Sequence, residues 1–231
     1  MSDGTPFRIL TVCTGNICRS PLAERLLQSG LDEAAPGAFA VTSAGVRALA
    51  GQPAHPRSVA IAAQLGSSLD TFEARQLAQQ HVAEADLVLI MAEEHRGPLL
   101  ALSPSALKRT FTLREFARLV EILPGPSTRE TVQDAWRRYV ADGDRIRHQV
   151  RLDEPGLNDV ADPFGLDASA YDRMAEELVP PVSTLIRAAL PRRRRRAFPG
   201  ESRAALREAE RRQLAERLPL NAGTGSGAEE P

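Results

Sequence analysis

Two cysteines, two hydroxyls and an arginine share one short stretch near the start of the chain, Cys13-Thr14-Gly15-Asn16-Ile17-Cys18-Arg19-Ser20-Pro21. A short apolar β-prone run, Phe7 to Val12, precedes it, and a helical pattern from Pro21 to Leu31 follows. A loop between a strand end and a helix start aims several backbone N–H groups at one point, and the helix dipole adds partial positive charge there. That is an anion cradle. Within it Gly15 permits backbone conformations closed to other residues. Arg19 offers a planar fork for two phosphate oxygens, and Pro21 suits a first helical turn. In this field Cys13 is expected largely as the thiolate, which is the nucleophilic form, and Ser20 can donate a hydrogen bond to it. The chemistry implied is attack of sulfur on a bound phosphate ester. A structural buried cysteine beside a helix cap is the usual fate of a free Cys. Here the strand before, the helix after and the full CTGNICRSP string outweigh that reading, and the Gly-Lys-Ser/Thr ending of a nucleotide-binding loop is missing.

The elements that must carry this loop read as alternating strands and helices. Further β-prone pieces are Phe39 to Ser43, Asp86 to Met91 and a short last strand at Arg109 to Phe111. The run DLVLIM is continuously apolar, as expected of a strand covered on both faces. Helices are expected at Pro56 to Leu65, Glu93 to Leu102, Leu113 to Leu123, within a very polar stretch at 129–150, and at Ser169 to Leu190, where Pro180 and Pro181 should kink or split the last one. Asp153 to Phe164 holds too many turn formers for regular structure. The pattern predicts a three-layer α/β sandwich around a four-stranded parallel sheet, with its site at the carboxyl ends of the strands. Cys13 sits at such an end.

The 231 residues, 42% apolar, suffice for one main domain, read as 1–190 with a helical insertion at about 120–157 and a basic tail at 191–231. The tail holds 10 Arg against 6 Glu and the body 19 basic against 24 acidic residues, so the net charge of -1 hides an acidic body and a basic tail. With two cysteines only, no disulfide framework can staple the fold, and a reducing, cytoplasmic setting is expected. The first residues lack the basic start and long apolar run of a secretory signal, and no stretch reaches the length of a membrane span. Lys108 stands alone beside 28 arginines, a bias of the kind a GC-rich bacterial genome produces.

With these residues in view, the chain resembles the low-molecular-weight protein tyrosine phosphatases over roughly residues 7–120 and 157–190. The motifs that carry the likeness are VCTGNICRSPLAE at Val12 to Glu24, TSAG at Thr42 to Gly45, ADLVLIM at Ala85 to Met91 and DVADPFG at Asp159 to Gly165. The resemblance implies that Cys13 attacks phosphorus and that Arg19 holds the equatorial oxygens. It further implies that Thr14, Gly15, Asn16, Ile17, Cys18 and Ser20 form the phosphate loop, that Asn16 with Ser43 keeps the loop in shape, and that Asp162 is the general acid. Protonating the tyrosyl oxygen makes it a better leaving group, and the same carboxylate can then activate water against the phosphocysteine. Phe164 is expected to pack on the substrate ring, Cys18 to trap an oxidised Cys13, and no metal or organic cofactor to be needed. The long stretch from Leu119 to Leu157 separates Asp162 from the rest of the site, with Asp153 and Asp159 as lesser candidates for the acid.

Two other activities use the same loop. Thioredoxin-coupled arsenate reductases need further cysteines outside it, which this chain lacks, and phosphoarginine phosphatases tend to carry Thr where Ile17 stands. His55, His81, His95 and His148 show no metal-ligand spacing and read as surface or core histidines. Trp136 and Tyr139, three apart on the helix of the insertion, and Tyr171 at the start of the last helix, read as packing. The Arg192 to Arg196 run is expected to give at most weak contact with an anionic membrane or an acidic partner, without specific nucleic acid binding.

Overall fold

β1 (Phe7–Cys13) lies at the centre of a four-stranded sheet, flanked by β2 (Phe39–Gly45) on one side and by β3 (Leu87–Ile90) and β4 (Thr110–Thr112) on the other, all parallel. This computed structural model describes residues 5–127, 129–150, 152, 154 and 156–190. The basic tail at 191–231, with its Arg192 to Arg196 run and the membrane contact expected of it, lies outside the described residues.

The strand residues divide by parity, as a pleat requires. Phe7 and Ile9 face a core shared with α1 (Arg19–Ala34), α5 (Leu113–Ile122), α6 (Val132–Ile146) and α7 (Ala168–Ala189). Leu10 and Val12 face a smaller core under α3 (Gln79–Glu84), α4 (Arg96–Leu102) and the turn after it. α2 (Pro56–Gln64) completes the first layer. The predicted sandwich is therefore present, with strand ends shifted by one or two residues.

Three expectations need correction. Pro180 and Pro181 lie inside one continuous helix, α7. Its buried stripe of Tyr171, Met174, Leu178, Val182 and Leu185 runs straight across them, and that packing outweighs the roughly 3 kcal/mol a helix-interior proline costs. α3 has no counterpart among the expected elements, because QQHVAE offers too little apolar periodicity to announce itself. The stretch expected as helix from Glu93 begins as a 3-10 turn, Glu93–His95, and becomes α4 only at Arg96.

The polar insertion is anchored by a few large residues. Trp136 is fully buried with its ring 4.9 Å from that of Phe39 and 5.7 Å from that of Phe7, and Tyr139 is buried beside it. Both aromatics pack, as expected, and bury a large apolar area for so charged a helix. Among the described residues no helix is long and apolar enough to cross a membrane.

Candidate active site

Cys13 ends β1 and Arg19 begins α1, so the loop between them lies at the carboxyl edge of the central strand. Its carbonyls are turned outward: Cys13 O accepts from Val46 N (2.9 Å), Thr14 O from Arg47 N (3.0 Å), Gly15 O from Leu49 N (3.0 Å) and Ile17 O from His55 N (2.8 Å). In a trans peptide the N–H points opposite to the C=O, so the amides of these peptides face away from that segment. The Asn16 N–H is directed at Cys13 Sγ, 3.3 Å away.

The left-handed residue of the loop is Asn16, with φ 55°, and not Gly15, which is absent from the positive-φ residues. Asn tolerates this region better than most side chains. Here its amide is fixed from every side. Asn16 Oδ1 accepts from Arg75 N (2.8 Å), and Nδ2 donates to Ser20 Oγ and Ser43 Oγ, both at 2.9 Å. Ser20 Oγ, which accepts from Asn16 Nδ2, lies 2.9 Å from Cys13 Sγ, where its hydroxyl can donate to a thiolate. Ser43 donates to Glu24 Oε2 (2.6 Å), whose burial raises the carboxyl above its ordinary range. Ser43 thus hydrogen-bonds the amide of Asn16, and Glu24 and Arg75 extend that frame. A Cβ at Gly45 would stand 2.5 Å from Thr14 O and 3.0 Å from Asn16 N, so the glycine of TSAG is demanded by close approach.

Asp162, whose placement was open, reaches the loop: Asp162 Oδ2 accepts from Arg19 Nη2 at 2.5 Å. Arg19 is buried and also donates to Val160 O and Thr14 Oγ1, each at 3.2 Å. Asp159 faces elsewhere, accepting from Glu93 N at 2.9 Å. His95, read as a surface or core histidine, is fully buried behind the loop, where Ala92 N donates to its Nδ1 (3.0 Å). The ring proton therefore sits on Nε2 and is donated to Thr14 Oγ1 at 3.0 Å. Burial, then the Arg19 charge, push His95 down to about 4, so it is neutral at ordinary pH.

A cleft of about 130 Å³ opens over Cys13. Ile17, Cys18, Leu49 and Phe164 give it apolar walls, while Arg19, Arg47 and Asp162 supply charge. Phe164 is 58% exposed on the rim, free to cover a planar group. Cys18 is buried and lies 3.7 Å from Tyr171 Oη, and desolvation holds its thiol up at about 11. Among the described residues no cluster of three metal ligands is found.

Cys13, Thr14, Gly15, Ile17, Cys18, Arg19, Asp162 and Phe164 thus line one cleft, with Asn16, Ser20 and Ser43 in the hydrogen-bond frame beneath it, while Asp153 lies outside the described residues. Sequence reasoning missed Glu24, Gly45, Arg75 and His95 as parts of that frame. Gly45 and Glu24 lay inside the quoted motifs, whereas His95 signalled itself only by falling just after a strand end, where sites gather.

Comparison with known proteins gives a consistent result. The family model described as "Low molecular weight phosphotyrosine protein phosphatase" matches residues 8–126. The low molecular weight protein-tyrosine-phosphatase Etp of Escherichia coli is 39% identical over 128 residues, covering 55% of this chain and 81% of that one. The low molecular weight protein tyrosine phosphatase of T. tengcongensis superposes with a TM-score of 0.57 at 30% identity, over 78% of this chain and 98% of that one. The YwlE arginine phosphatase of Geobacillus stearothermophilus gives a TM-score of 0.56 at 26% identity, over 92% and 99%.

Proposed function

The chain belongs to the low molecular weight phosphotyrosine protein phosphatase family, and from that premise we propose that it removes phosphate from protein phosphotyrosine through a phosphocysteine on Cys13. The observation that carries the assignment of roles is the convergence of Cys13 Sγ, the Arg19 guanidinium and the Asp162 carboxyl on one cleft.

The substrate phosphoryl group brings negative charge into the cradle and competes with Asp162 for the Arg19 fork. Its oxygens take the loop amides and the guanidinium, and Asp162 is released to face the leaving oxygen. The Cys13 thiolate then attacks phosphorus, a P–S bond forms as the P–O bond breaks, and Asp162 delivers a proton to the departing tyrosyl oxygen. In the second step Asp162, now a carboxylate, takes a proton from water as the water oxygen attacks phosphorus. Phosphate leaves and the Cys13 thiolate is restored. Ser20, 2.9 Å from Cys13 Sγ, can stabilise the sulfur anion in both steps by donating a hydrogen bond to it. The relay uses side chains and backbone alone, and we propose no metal or organic cofactor.

A second reading, phosphoarginine hydrolysis, is favoured by the likeness to YwlE. Ile17 and Leu49 on the cleft wall suit an aromatic ring better than a guanidinium. Initial rates on phosphotyrosine, phosphoserine and phosphoarginine peptides in EDTA decide between them, with arsenate reduction assayed in parallel. Preference for phosphotyrosine is expected, and preference for phosphoarginine would replace the proposal. A cytoplasmic location belongs to the same proposal, since both cysteines are free thiols.

A further inference from the structure

The inserted segment is rooted firmly in the body of the protein. Besides Trp136, α6 brings Gly143 against Leu119 of α5, so closely that a Cβ there would lie 3.4 Å from Leu119 Cδ1. Past the end of α6, Arg147 grips both oxygens of Glu115 at 3.1 Å and donates to Thr110 O at 3.3 Å. The turn Arg147–Val150 then ends on Val150, which is buried in the main core.

At that point one side chain of α5 joins the insertion to the acid loop. Arg118 Nη2 donates to Val150 O (3.3 Å) and to Asn158 Oδ1. One turn earlier on the same helix, Arg114 Nη1 donates to Asp159 O at 3.0 Å. The following residues are then fixed in succession: Val160 N donates to Met91 O (2.7 Å), Arg19 to Val160 O (3.2 Å), and Ala161 N to Glu177 Oε2 (2.8 Å). The Asp162 side chain is 43% exposed, and its carboxyl is held by the Arg19 ion pair and by Phe164 N, which donates to Oδ1 at 3.3 Å. Once a substrate phosphate takes the Arg19 fork, its placement depends on the backbone leading up to it.

We propose that Arg118 is a positioning residue for the general acid, and that the inserted segment serves as the brace against which Arg118 registers the acid loop. The inference rests on Asp162 being that acid. None of the hydrogen bonds that shape the cradle involves Arg118, Val150 or Asn158. Releasing the brace therefore leaves phosphate binding and the attack of Cys13 intact while the carboxyl spends less time on the leaving oxygen. A misplaced acid matters most for a basic leaving group.

The test uses the full chain and a series of aryl phosphates from dinitrophenyl to unsubstituted phenyl, scored by kcat/KM, which reports cleavage of the P–O bond. Arg118→Ala should lose roughly 10-fold on phenyl phosphate, a part of what general acid catalysis supplies, and little on dinitrophenyl phosphate. Inhibition by inorganic phosphate should be unchanged. Asn158→Leu removes the acceptor, fills the space and keeps the Arg118 stem, and should show the same signature even if Arg118→Ala melts early. In the Asp162→Asn background Arg118→Ala should cost little more. A loss independent of leaving group, weakened phosphate inhibition, a full further loss on top of Asp162→Asn, or no loss in either variant would overturn the brace. If Asp162→Asn itself shows no leaving-group dependence, the acid assignment fails instead.

Discussion

Gly45→Ala puts one methyl group where the loop has no room for it. The added Cβ would stand 2.5 Å from the Thr14 carbonyl oxygen, about 0.9 Å short of the 3.4 Å at which ordinary contact begins. Neither side yields easily. Gly45 N donates to Arg75 O at 3.0 Å, Gly45 O accepts from Leu77 N at 2.8 Å, and Thr14 O is tied to Arg47 N. The strain must move Thr14 and Asn16, and with them the Asn16 N–H and Ser20 hydroxyl aimed at Cys13. A displacement near 1 Å in a catalytic constellation costs on the order of 10²-fold in rate. Overpacking of this kind costs about 1–3 kcal/mol of stability, which for a domain of this size lowers Tm by roughly 2–12 °C. Initial rates on an aryl phosphate, the inhibition constant of inorganic phosphate and a thermal melt read the three effects. Both kinetic constants should worsen together, because one loop serves binding and attack. A Gly45→Ala protein with near wild-type turnover and phosphate affinity would refute the view that this contact sets the cradle.

Three further outcomes follow from the same geometry. Asp162→Asn should lower kcat/KM for a phenolic ester by roughly 10²-fold or more, and less for better leaving groups; a uniform loss would remove Asp162 as the acid. His95, neutral and buried with its pKa depressed from 6.5 to about 4, stabilises the fold fully above pH 6.5 and loses that contribution as pH falls toward 4, by about 3 kcal/mol. His95→Gln keeps a donor for Thr14 but cannot titrate, so urea denaturation at neutral and acid pH should show a smaller acid loss than in the wild type, and parallel losses would contradict a neutral buried histidine. For the tail at 191–231 we propose no part in the chemistry: truncation after Leu190 should leave turnover of a small aryl phosphate nearly unchanged and abolish any weak, salt-sensitive co-sedimentation with anionic vesicles. Equal sedimentation of both chains would end the membrane role.

Much of this site was readable because a covalent phosphate relay constrains residue types within a single turn of chain. A thiol, an arginine fork and a helix start must fall within a few residues of one another, and CTGNICRSP shows that spacing directly. What the string does not disclose is which residue takes the left-handed turn. Gly15 was the natural candidate, yet Asn16 holds that conformation because three partners around its amide compensate for it. Asp162 lies 143 residues from Arg19 along the chain, and only tertiary packing closes that distance. The same is true of Arg118 and Asn158, a cation and an amide that look like ordinary surface residues until α5 and the acid loop are laid side by side. Pro180 and Pro181 misled for the opposite reason, since a local rule was overridden by a buried stripe on both sides of them.

The most direct test of the central claim is to trap the intermediate. Enzyme mixed with an aryl phosphate and quenched in acid within the first turnovers should carry covalent phosphate on the peptide containing Cys13, identified by mass spectrometry, and Cys13→Ser should lose turnover while still binding phosphate or vanadate. Phosphate on another residue, or a Cys13→Ser protein that turns over at near the wild-type rate, would contradict the phosphocysteine relay.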